Sequence, residues 1–141
     1  MLMQSFKPAA DLGISEKNKE GLMKVLVLLE TKKLHHIDKR TANWSERGKR
    51  KFTGHFNMAV VVAEYDCGTA ACICGTAQLL GYTSMAAAAN DSPALMGLFC
   101  GHGRPLGMRL NDLTPAQAAR ALRSYLTTGD AKWAEAVSVA D

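Results

Sequence analysis

No apolar stretch in this chain approaches the roughly 20 residues that a membrane-spanning helix needs, so nothing in the sequence predicts a span. The first residues, Met1–Pro8, lack the charged front, apolar middle and small-residue cleavage site of a signal peptide. No glycine period, heptad series or internal repeat occurs, which excludes collagen-like, coiled-coil and solenoid architectures. Neither Cys-x-x-Cys nor His-x-x-x-His spacing is present. What is there is an ordinary globular composition: 141 residues, 48% hydrophobic and 21% charged. That length fits a single domain over 1–141, able to bury about two-thirds of its unfolded surface without a disulfide or metal. Four cysteines without an export signal suggest free thiols in a reducing compartment, the cytoplasm.

Charge is unevenly placed. Residues 1–66 carry 12 basic and 8 acidic side chains, whereas 67–141 carry 5 of each. The stretch 32–51 holds eight basic residues against Asp38 and Glu46, net +6 in a chain of net +4, so the remainder is slightly acidic. Such a patch attracts phosphate or an acidic protein surface, although a charge run is also the ordinary composition of a solvated loop.

Hydrophobic periodicity predicts a mainly α (α+β) fold. Residues 1–13 read as a loose arm. Ser15 is placed to cap a long N-terminal helix whose stripe is Leu22, Leu26 and Leu29, widened by Met23 and Val27 and extended toward Leu34 and Ile37. His35 and His36 would then cap its last carbonyls. Residues 38–55 read as an exposed basic connection. The β-branched run Phe56–Ala63 predicts a short strand. Asp66-Cys67-Gly68-Thr69 reads as the start of a central helix through Ala70–Leu80. Met85–Ala89 and Pro93–Cys100 have helical composition, and Gly101, Gly103, Pro105 and Gly107 mark a loop. The clearest helix start is Thr114-Pro115 with Gln117 at the capping-box position; Gly129 ends that helix, and Asp130 caps a last one carrying Trp133.

The central segment Cys67–Leu80 places small residues on shared helical faces, Ala71 with Gly75 among them, which predicts close approach of a neighbouring backbone. Phe56-Asn57-Met58, then Cys67-Gly68-Thr69-Ala70-Ala71-Cys72-Ile73 with Gly75 and Ala77, resembles the pattern F-[DN]-M … C-G-T-x-x-C-[IL]-x-G-x-A of an uncharacterised family of small phage and prophage proteins. An apolar helix at Leu22–Leu29 and a closing Thr114-Pro115 … Gly129 … Trp133 segment extend the likeness over most of the chain. Cys74, where the pattern has Ala, and the long basic insert 39–55 depart from it. The resemblance implies a phage-type origin and a shared fold. It implies no activity.

Three sharper readings compete with a plain core helix. A zinc site from Cys67, Cys72, Cys74, Cys100 and His102 needs four converging ligands, but on a helix Cys72 and Cys74 point to opposite sides; neither metal nor cofactor is expected. A cysteine hydrolase would use Cys67 as a nucleophile activated at a helix N-terminus, with His55 or His102 as base. Asp66-Cys67-Gly68 looks like the Asp-Cys-Ser-Gly helix start of small papain-like peptidases, yet no downstream strand presents a histidine. A nucleic-acid surface would combine Lys39, Arg40, Arg47, Lys49, Arg50 and Lys51 with the rings of Trp44 and Phe52, binding without sequence preference. The reading these residues support best is a non-enzymatic phage-type accessory protein that binds a host or phage protein, or nucleic acid, through the basic segment and engages no membrane.

Overall fold

A computed structural model describes residues 6–36, 54–58, 62–65, 68–82 and 84–138. The fold is mainly helical with a small β component. The stretch expected to be a loose arm is docked from Phe6 onward. The Lys7 amide donates to the Leu126 carbonyl at 2.8 Å, and Ala9 and Leu12 of the short helix α1 (Ala9–Leu12) are buried.

Helix α2 (Glu16–Glu30) starts where its sequence indicates. The Ser15 Oγ accepts from the Asn18 amide at 3.1 Å, and Leu22, Val25, Leu26 and Leu29 enter the core. It stops before Leu34. Lys32 takes a left-handed conformation (φ +60°), so that its amide reaches Leu29 O at 3.2 Å and the Lys33 amide reaches Leu28 O at 2.9 Å. These two bonds satisfy terminal carbonyls and reverse the chain. Leu34 is buried after the reversal, and His35–His36 form strand β1 rather than a helical cap.

Three more short strands follow: β2 (His55–Phe56), β3 (Val62–Tyr65) and β4 (Gly68–Ala71). Their order in the sheet is β1-β2-β4-β3, with β1·β2 and β2·β4 parallel and β3·β4 antiparallel. The run expected as one strand is thus divided between β2 and β3. Most of the expected exposed connection 38–55 lies outside the described residues. Its last two residues do not fit that expectation: Gly54 is buried, with its carbonyl accepting from the His35 amide at 2.7 Å, and His55 opens β2.

The central helix α3 (Ile73–Leu79) begins six residues after Cys67. Gly68–Ala71 pair with β3 along their length and Ala70–Ala71 also pair with β2, and backbone pairing of a central strand outweighs the helical preference of its alanines. The chain continues through α4 (Met85–Asp91) and α5 (Pro93–Cys100), which meet at Ser92; its hydroxyl caps α5 by accepting from the Leu95 amide at 3.3 Å.

Helix α6 (Pro115–Thr128) carries both halves of its capping box: Thr114 Oγ1 accepts from the Gln117 amide at 3.2 Å, and Gln117 Oε1 from the Thr114 amide at 2.9 Å. The final helix α7 (Trp133–Ser138) is pinned by the buried Trp133, whose Nε1 donates to Leu98 O at 3.1 Å.

One hydrophobic cluster runs from Leu12 to Ala136, with α2 packed on α6 and on α3. The Tyr82 side chain packs directly on the backbone of α2 at Gly21. A Cβ there would sit 2.7 Å from Cγ of Tyr82, whose ring also lies 5.3 Å from the Lys24 ammonium. Among the described residues, no helix is long and apolar enough to cross a membrane.

Candidate functional site

The described thiols are built into the core. Cys72 occupies the cap position of α3, where its Sγ accepts from the Gly75 amide at 3.5 Å. Burial pushes the Cys72 thiol up, and burial pushes Cys74 up to about 12. Both side chains are therefore protonated at neutral pH, the opposite of an activated nucleophile. Cys100 is half-buried at the end of α5, its thiol donating to Met96 Sδ at 3.4 Å. Among the described residues, no group of three His, Cys, Asp or Glu side chains is arranged to hold a metal ion.

The nucleophile reading loses its activating element. Cys67 itself lies outside the described residues, but the residues directly after it form β4 and not the expected helix start. His55 lies on β2, opposite Ala70 of β4. His102 is exposed in the loop after α5. Its amide donates to Gly97 O at 3.0 Å and its imidazole lies over Gly97, where an added Cβ would be 3.6 Å from Nδ1. No hydrogen bond joins His102 to a described thiol. The Phe56-Asn57-Met58 run is buried, with Phe56 and Met58 in the hydrophobic core.

Lys39, Arg40, Trp44, Arg47, Lys49, Arg50 and Lys51 lie outside the described residues. The described end of the basic segment, Lys32 to His36, is exposed apart from Leu34. It borders a groove of about 640 Å³ between the C-terminal end of α2 and the N-terminal end of α6. Leu29, Leu34 and Ala119 form its buried apolar floor, with Pro115 and Ala116 on one wall and Lys32 and His35 on the other. Glu30 also lines it, with its carboxylate bound by Arg123 in two hydrogen bonds of 2.6 and 2.5 Å. The sequence marks Lys32 as part of the charge run and Pro115 as a helix start, but it places His35 on the wrong element and gives Ala116 no role. Nothing local shows that α2 reverses against α6.

Two further apolar features are exposed. Val27, with 56% of its surface accessible, lies in a second groove of about 430 Å³ with Met23, Leu28 and Leu80. Leu106 projects from the tip of the loop after α5. Arg104 braces that loop by donating to the carbonyls of Cys100, Gly101 and Met108 at 2.9–3.1 Å.

No family model, curated protein or solved structure matches the chain.

Proposed function

We propose that this chain is a non-enzymatic accessory protein of the phage or prophage type. It acts in the cytoplasm of its host by binding a host or phage macromolecule through the basic segment 32–51. The observation that carries this reading is the charge distribution: +6 over 20 residues in a chain whose other residues sum to −2. A field focused in this way steers polyanions and acidic surfaces toward one side of a molecule. The exposed Lys32, Lys33, His35 and His36 at the described end of the segment agree with that role. The cysteine-hydrolase alternative has no comparable support, because strand rather than helix follows Cys67 and the described core thiols are held protonated.

Reversing Arg47, Lys49, Arg50 and Lys51 to Glu tests the reading. The variant should keep the wild-type melting temperature and lose its partner in affinity capture from host lysate, performed with and without nuclease. A nucleic-acid partner disappears with nuclease, and four lost phosphate contacts correspond to roughly 100-fold weaker binding of the wild type between 50 and 200 mM salt. A protein partner survives nuclease. Capture unchanged by charge reversal would contradict the reading.

A further inference from the structure

We infer that the groove between the end of α2 and the start of α6 is a binding site for an acidic, extended peptide segment of a partner protein, which places one apolar side chain on the Leu29–Leu34–Ala119 floor. This assignment rests on the reading of segment 32–51 as the partner surface and names the partner's chemistry. Three observations converge on it.

The first is shape and polarity. The groove is of the size of ligand sites in general, which run to about 300–1,000 Å³, and its floor consists of aliphatic side chains. Among the described residues the lining holds no phenyl, phenol or indole ring, whereas a leucine or phenylalanine side chain finds apolar surface to cover.

The second is charge complementarity. Lys32 and His35 stand on the rim, with exposed Lys33 beside them, and the positive end of the α6 dipole lies on the opposite wall. Among the described lining residues the one carboxylate, Glu30, is bound by the bidentate Arg123 guanidinium. An incoming carboxylate therefore meets the ammonium groups of Lys32 and Lys33 and little repulsion from the wall.

The third is the backbone. β1 is the edge strand of the sheet, paired on one side with β2; among the described residues, no strand pairs with its other side. His35 belongs both to this edge and to the groove lining. A peptide laid against the edge would alternate its side chains, one toward the groove and the next toward solvent.

The test uses the full chain and fluorescence anisotropy with short acidic peptides that differ only in a central Leu, Phe or Ser, plus a lysine-for-acid counterpart and a short DNA duplex. Leu or Phe peptides should bind about tenfold or more tightly than the Ser peptide, and the lysine counterpart should not bind. Ala116→Glu adds a carboxylate at an exposed position in the first turn of α6, where acids suit the helix. It should weaken the Leu peptide about tenfold. Ala116→Leu fills the groove without charge and should bring the Leu peptide down to the Ser peptide's affinity; it serves as the second variant if the first perturbs folding.

Equal affinity for Leu and Ser peptides, unmoved by both variants, overturns the groove assignment. If binding is then lost on reversing Arg47, Lys49, Arg50 and Lys51, the basic-segment reading stands without the groove. If neither DNA nor any acidic peptide binds the wild type at low salt, both fall.

Discussion

The N-termini of α6 and α3 satisfy the same need with different atoms. Each helix leaves the amide of its third residue without a helical acceptor. At α6 the Thr114 hydroxyl takes it at 3.2 Å and Gln117 returns the bond; at α3 the Cys72 sulfur takes it at 3.5 Å, inside the core. A hydroxyl in a reciprocated box fixes a helix start locally, and any chain with Thr-Pro-x-Gln ahead of an apolar stripe tends to begin there. A thiol is a weak acceptor. The start of α3 is fixed instead by the pairing of Ala70–Ala71 to two strands and by burial of Ile73. One helix is specified by its own sequence, the other by its surroundings.

The largest expected effects compare the two helices through their core side chains. Leu122 on α6 and Ile73 on α3 are both fully buried, so Leu122→Ala and Ile73→Ala should each cost about 2–5 kcal/mol. Denaturant unfolding should give one transition in both variants. A separate early transition in Ile73→Ala alone would mean that the α3 side unfolds as its own unit.

Gly21→Ala probes the contact that holds the residues after α3 against α2. In an exposed helix this change would stabilise by about 1 kcal/mol. Here the new Cβ would lie 2.7 Å from the Tyr82 ring, so overpacking should reverse the sign and cost about 1–3 kcal/mol. A raised melting temperature would show that the ring yields freely.

Alkaline stability follows from the thiols. The folded-state pKa values of Cys72 and Cys74 are raised, so above an ordinary thiol value of about 8.5 the unfolded chain loses protons that these two retain in the folded chain. The stabilisation is fully present below that pH. It is then lost with rising pH, by up to about 1.4 kcal/mol per pH unit for each thiol, until the folded protein ionises, for Cys74 at about 12. Urea midpoints between pH 8 and 11 should fall accordingly, and the fall should be shallower in Cys74→Ala. A flat profile would mean that the thiols are solvated.

The smallest effects belong to the caps. Thr114→Ala should cost about 1 kcal/mol. Cys72→Ser should change stability by less than about 1 kcal/mol in either direction, since a better acceptor replaces sulfur while apolar burial is lost. Equal, large losses at both positions would dissolve the contrast between them.

The same contrast explains what could be read from the sequence. The α2 start at Ser15, the α5 segment from Pro93, the α6 box and the Gly129 stop (φ +86°) are local chemistry and stand where the residues place them. The end of α2 was not legible, because Lys32 adopts φ +60° without being glycine or asparagine, a conformation that costs about 1–2 kcal/mol and that only the reversal onto β1 requires. β4 was not legible because Gly-Thr-Ala-Ala carries no period and its pairing is non-local. Of the candidate site, the charge run was visible and the groove was not. Its walls come from residues about 80 apart, joined by packing of α2 on α6.

The central claim is that the segment from β4 into α3 is structural, a strand turning into a thiol-capped helix, as the proposed binding role requires. Alkylation by iodoacetamide, mapped cysteine by cysteine in the native protein at pH 6 to 8, tests it most directly. The account predicts that Cys72 and Cys74 are protected until the chain unfolds, that Cys100 is modified slowly, and that Cys67 reacts no faster than a thiol in a short peptide. A Cys67 that reacts more than about tenfold faster than that peptide at pH 6, where an ordinary thiol is protonated, would contradict it.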